Sequence, residues 1–190
     1  MSSIVFDATA LIHFSRAGRL RELRACSTEE QAILLANVAR ELEQGGPLRT
    51  GLDPAAEAWL KPAELTEMTE LAAFANYKAE LGGGVERNNG EAATLAWISV
   101  NGGIAIIDEA VARNIGQEDG LAVHGSLWLL SRSYNEGILD RATVEGVVSD
   151  LIASGMRLPC KKGTDFIAWA QRAGLVPNEP GGPQERSTTP

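Results

Sequence analysis

Short β-branched and aromatic runs alternate with helical patterns along most of the chain, and few architectures accommodate that alternation. Ile4-Val5-Phe6, Ala32-Ile33-Leu34-Leu35, Ile104-Ala105-Ile106-Ile107 and Leu121-Ala122-Val123 each read as a short buried strand. Trp59-Leu60-Lys61-Pro62 reads as an edge strand, where a proline without an N–H is tolerated. Helical patterns fill the gaps. One contains Leu11, Ile12 and Phe14 behind a Thr9 cap, and a short one runs through Leu20, Leu23 and Arg24 after Gly18. Val38 to Gln44 follows an Asn37 cap and stops at Gly45-Gly46. Glu64 to Leu81, Gly90 to Val100, Glu109 to Ile115, segments near 125–135 and 141–154, and Phe166 to Ala173 complete the series. Strands separated by helices make βαβ units. The expected fold class is therefore α/β, a parallel sheet with helices on both faces.

At 190 residues the chain suits one principal domain, since domains usually hold roughly 100–200 residues. We expect that domain over 1–159, a helical extension over 160–176, and a disordered Pro/Gly/polar tail over 177–190. Residues 46–58 read as an irregular insertion. The start, Met1 to Asp7, lacks the basic region of a signal peptide, and no apolar stretch approaches the ~20 residues that span a bilayer. A cytoplasmic location is expected.

Charge and side-chain inventory narrow the chemistry. Twenty-five acids against 17 bases leave a net charge of −8, which argues against broad nonspecific binding of nucleic acid over the whole surface. A local cationic strip stays open, because 13 of those bases are arginine, the better bidentate phosphate ligand. Two cysteines, Cys26 and Cys160, make no disulfide framework, and two histidines, His13 and His124, make no histidine-rich metal site. A metal here would be held by oxygen, which favours magnesium, manganese or calcium.

In an open parallel sheet, ligands bind beyond the carboxyl ends of the strands. Two strands end in aspartate there, the first in Asp7 and the fourth in Asp108. Either could simply cap the helix that follows. Two glutamates add to the pattern. Glu41 lies three residues after Val38 and next to Leu42, on an inward stripe; it could equally snorkel to water from the stripe edge. Glu91 aligns with Leu95 and Ile98; it could equally complement the helix dipole from the first turn. Taken together the four acids are harder to dismiss. Carboxylates gathered without matching bases repel, a divalent ion relieves the repulsion, and such an ion suits hydrolysis of phosphate esters.

The order of these segments resembles a known family. Residues from Ile4 to Leu20 look like the first strand and helix of a PIN domain. Val38-Ala-Arg-Glu41-Leu resembles its second acidic motif. Gly90-Glu91-Ala-Ala-Thr-Leu-Ala resembles the third, in the form used by a widespread, poorly characterised prokaryotic branch. Ile106-Ile-Asp108-Glu-Ala-Val-Ala-Arg113 resembles the fourth, and Val123-His-Gly125-Ser-Leu is similar to the segment that follows it. The resemblance covers roughly residues 3–158 and implies a central strand order of 3-2-1-4-5. It further implies a magnesium- or manganese-dependent endoribonuclease, as in the many members that are toxins of VapBC-type toxin–antitoxin pairs. RNA, an antitoxin protein and a second copy of the chain would be its partners. Asp7, Glu41, Glu91 and Asp108 would be the catalytic metal cluster, with Thr9, Glu109, Arg113 and Ser126 supporting it or the substrate. For Arg113 an ordinary surface pair with Glu109 is an equal reading. The apolar stripe of Leu11, Phe14 and Leu20 is the surface expected to form the homodimer; the alternative is that it packs on the chain's own sheet.

Other readings fare worse. Gly82-Gly83-Gly84 is not a dinucleotide-binding turn, and no Walker lysine motif exists. His124-Gly125-Ser126 lacks the strand-to-helix elbow of a serine hydrolase. The serious rival is a PIN-like protein that binds or regulates without catalysis.

Overall fold

The computed structural model describes residues 2–45, 52–53, 57–84 and 87–177. The tail beyond 177 and most of the 46–58 insertion lie outside the described residues. Five parallel strands form one sheet: β1 (Ser3–Phe6), β2 (Gln31–Leu35), β3 (Lys61–Ala63), β4 (Ile104–Ile106) and β5 (Val123–His124). Their order is β3-β2-β1-β4-β5, as the resemblance implied. The helices are α1 (Ala8–Arg16), α2 (Leu20–Ala25), α3 (Ala36–Gly45), α4 (Met68–Leu81), α5 (Asn89–Asn101), α6 (Ala110–Glu118), α7 (Ser126–Asn135), α8 (Arg141–Ala153) and α9 (Phe166–Arg172), with a 3₁₀ turn at Gly163–Asp165.

Strand β1 sits in the middle because every residue after Ser3 that it sends to either face is apolar. Ile4, Val5 and Phe6 are fully buried, the pattern of a strand covered on both sides. Its register sets Val5 beside Ile33 of β2 and beside Ala105 of β4. Pro62 occupies the edge strand β3, where its missing N–H costs no ladder bond. Helix α5 packs on β1 and β2, against α3, and along α4. Helix α8 packs on α1, and α9 packs on α8. Fully buried Phe6, Leu11, Phe14, Leu95 and Phe166 anchor this core, and truncating one such side chain to alanine typically costs about 2–5 kcal/mol.

Several boundaries differ from the sequence expectations. Asp7, not Thr9, caps α1: its carboxylate accepts the Thr9 N–H at 3.2 Å. Helix α3 starts at Ala36, directly off β2. Helix α4 begins at Met68 rather than near Glu64, because Glu67 and Glu70 form a capping box there. The last strand is displaced toward its C-terminus, since Ile107 donates its N–H to the His124 carbonyl at 2.8 Å. The stripe of Leu11, Phe14 and Leu20 expected to form a dimer surface packs inward instead, with Leu20 at the start of α2 partly buried against the core. Leu11 and Phe14 are fully buried within the chain's own core.

The C-terminal segment is docked through a close backbone approach. A Cβ at Gly163 would collide with the Glu145 carbonyl of α8, so glycine lets the 3₁₀ turn sit directly on that helix. No helix among the described residues is long and apolar enough to cross a membrane.

Candidate metal centre

Strand β1 delivers Asp7 to the carboxyl edge of the sheet, where the side chain is 1% exposed. Its two oxygens do different work. Oδ2 accepts the Thr9 N–H and starts α1. Oδ1 is buried and has no hydrogen-bond partner among the described residues. Such an orphan is costly unless a cation or proton satisfies it.

Two helices bring the other carboxylates to it. Because α3 leaves β2 without a loop, Glu41 comes around on the side of Val38 and Leu42, both fully buried. Before α5, Asn88 adopts the left-handed conformation at φ 58°, which asparagine tolerates better than most residues. Its amide donates to the Leu81 and Gly82 carbonyls and fixes the turn out of α4. That turn aims the Gly90 N–H at Glu41, and Gly90 N donates to Oε1 at 2.7 Å. Glu91 follows in the first turn of α5.

Asp7, Glu41 and Glu91 each offer one oxygen within 4.8 Å of the others. A Cβ on Gly90 would lie 2.9 Å from Glu41 Oε2 and 3.1 Å from Asp7 Oδ1, so the absent methyl leaves the space between these two carboxylates open. The donor set is all oxygen, one donor is orphaned, and the cradle would be filled by a single added carbon. These features fit a hard divalent cation such as magnesium or manganese.

The electrostatics follow from burial and proximity. Burial pushes the Asp7 carboxyl up to about 8, and the charges of Glu91 and Glu41 push in the same direction; the backbone N–H groups of Thr9 and Ala8 oppose them. Burial also raises Glu41, opposed by its bond from Gly90 and reinforced by Glu91. Two unit charges ~4 Å apart repel by roughly 4 kcal/mol at an effective dielectric near 20, so three full charges here need a counterion.

Asp108 leaves β4 on the same edge but is not a member of that trio. It does not cap the next helix, a role that falls to the exposed Glu109 through the Val111 N–H. Instead Asp108 accepts the Ser126 N–H at 2.8 Å and the Ser126 hydroxyl at 2.6 Å, tying β4 to the start of α7. Arg113 makes no pair with Glu109. Its Nη1 donates to the Ile107 and Asp108 carbonyls, each at 3.1 Å, and so fixes the backbone beneath Asp108. Thr9 contributes its backbone N–H to Asp7. Thus three of the four expected acids converge, and the fourth stands apart with its own hydroxyl and N–H donors.

Sequence reasoning missed Gly90 as a site builder, although a glycine immediately before a first-turn glutamate signals a close approach. It also missed the partner of His124, whose ring stacks on Trp128 at 3.7 Å between centroids with an interplanar angle of 8°. A strand-end histidine four residues ahead of a tryptophan at a helix start was the available signal.

A model of the PIN domain family matches residues 3–171 of the chain. No curated protein and no solved structure matches it. With the family's match running over nearly the whole described fold, the chain belongs to the PIN domain family, a family of nuclease type.

Proposed function

We propose that the chain is a magnesium- or manganese-dependent endoribonuclease, acting in the cytoplasm as the toxin of a toxin–antitoxin pair. The observation that carries this reading is the convergence of Asp7, Glu41 and Glu91 on a buried oxygen without a partner. Asp7, Glu41 and Glu91 would hold the metal directly, with Asp108 completing the acidic set from the neighbouring strand. The metal would supply an electrophilic centre for the phosphodiester and a water of lowered pKa. The chain's own groups orient the reaction. Gly90 fixes the Glu41 carboxylate, Thr9 fixes one Asp7 oxygen, and Ser126 fixes Asp108, which lines a neighbouring cavity. Arg113 holds the Asp108 backbone and presents a cation to the RNA. Glu109, next to Asp108 in the chain, is exposed and caps the start of α6. An antitoxin and a second copy of the chain are partners that the family resemblance supports.

Cleavage of an end-labelled single-stranded RNA is the test. Turnover in magnesium or manganese, its loss in EDTA, its failure in calcium and a 5′-phosphate product together are the expected result. Turnover that survives EDTA would remove the metal from the account. Absence of cleavage with retained manganese binding would favour the non-catalytic PIN-like reading.

A further inference from the structure

The aromatic residues that the acidic site does not use gather next to it. A cavity of about 340 Å³ opens from Asp108, within the size range of ligand pockets. The His124–Trp128 stack lines it, as do Arg113, Arg157 and Trp169. Trp128 and Trp169 are two of only four tryptophans in the chain, and they reach the cavity from different helices, α7 and α9. The close seat of Gly163 on α8 precedes α9 directly, so this wall is fixed by packing rather than by a free end. Burial, aided by the nearby Arg132 charge, holds the His124 imidazole below its ordinary value, so near neutrality it stacks as a neutral ring.

Charge selects among flat ligands. The Asp108 carboxylate repels an anion placed beside it, whereas a neutral ring is not repelled and finds aromatic surface contributed by separate elements; Arg113 and Arg157 of the same lining are left to attract phosphate. Arg157 is exposed and has no carboxylate partner among the described residues, and Arg113 spends one nitrogen on backbone carbonyls. Both arginines line the cavity itself, and neither is paired with an acid among the described residues, so both charges stay open to a phosphate there. A neutral planar group on the aromatic wall, with phosphates on the two arginines of the same lining, is the pattern of a single-stranded nucleotide, which binds through base stacking and backbone cations.

We propose that this cavity takes one unpaired nucleobase of the RNA beside the scissile phosphate, with the adjoining phosphates on Arg113 and Arg157. The proposal rests on the reading of the chain as an RNA nuclease and gives that reading a substrate-positioning pocket. The C-terminal residues after Pro159 thereby become part of the substrate site.

The experiment separates binding from cleavage. Binding of a fluorescent single-stranded RNA octamer is measured in EDTA for wild type, Trp169→Ala, Trp169→Phe and Arg157→Ala. Each is tested with the intact oligomer and with a set carrying one abasic nucleotide at successive positions. Trp169→Ala should weaken binding roughly tenfold and Trp169→Phe much less, consistent with loss of one stacked base. One abasic position should reproduce the Trp169→Ala loss in wild type and add nothing to it in the variant. Arg157→Ala, an exposed change that leaves the core intact, should weaken binding and lower the salt slope by about 1. The pocket proposal is overturned if wild type does not bind the oligomer, if no abasic position matters, or if Trp169→Ala loses equally on every oligomer. Metal-dependent cleavage is scored separately on the same oligomers. Cleavage without base dependence would leave the nuclease reading standing and remove the pocket; base-dependent binding without cleavage would do the reverse.

Discussion

Gly90 and Glu41 meet in a 2.7 Å hydrogen bond from the first turn of α5 to the middle of α3, and the missing side chain of the same glycine leaves room for the Glu41 and Asp7 carboxylates together. Gly90→Ala should therefore damage the site more than the fold. Alanine favours the helix by up to ~1 kcal/mol, while its methyl must displace the Glu41 and Asp7 carboxylate oxygens. We expect manganese affinity, measured by calorimetry, to fall at least tenfold, with the metal-free melting temperature moving by only a few degrees. Unchanged affinity would place the ion elsewhere.

Asp7 should make the metal-free protein less stable as pH rises. Its folded value of about 8 lies above the ordinary 3.8, so between those pH values the folded state keeps a proton that the unfolded chain releases. Stability from this group is complete below about 4 and is lost as pH climbs through about 8. The slope is at most about 1.4 kcal/mol per pH unit, with Glu41 adding in the same direction because its value is raised as well. Denaturant melts in EDTA at successive pH values should show this decline. Saturating manganese should flatten it, since the metal takes the proton's place. A metal-free stability that rises over the same interval would contradict the burial of an uncompensated carboxyl.

Ser126→Ala should separate positioning from folding. The change removes the 2.6 Å bond from the hydroxyl to Asp108 and leaves the 2.8 Å bond from the backbone N–H. Loss of one bond to a charged group costs about 1.5–3 kcal/mol, which the fold should survive. Supporting contacts of this kind commonly change activity or metal affinity by about 10–100-fold, and we expect a drop in kcat of that order. Ser126→Thr should recover most of it. Full activity in Ser126→Ala would leave Asp108 with a structural task only.

Much of this arrangement was legible in the sequence because strand ends and helix stripes are local features. Asp7 and Asp108 each close an apolar run, and Glu41 and Glu91 each sit on an apolar stripe. Legibility stopped where two local signals competed or where register mattered. Thr9 and Asp7 are both good caps two residues apart, and only the backbone geometry selects Asp7. The stripe of Leu11 and Phe14 reads the same whether it faces a partner or the chain's own core. The His124–Trp128 stack depends on a shift of the last strand relative to the apolar run that marks it. The cavity beside Asp108 joins residues as far apart as Asp108 and Trp169, a proximity that no local pattern carries.

Asp7 would serve as a metal ligand as well as a helix cap, and Asp7→Asn tests the first role against the second. Asparagine keeps a carbonyl oxygen for the Thr9 N–H and places an uncharged amide beside Glu41 and Glu91. Melting curves of wild type and variant at pH 8, in EDTA and in manganese, are recorded with RNA cleavage alongside. In EDTA the variant should melt higher, because one repelling charge is gone. Manganese should raise the wild type well above its EDTA value and the variant far less, with cleavage lost in the variant. Equal manganese shifts in both proteins, together with retained cleavage, would mean that Asp7 only caps α1 and that the acidic cluster is not the active site.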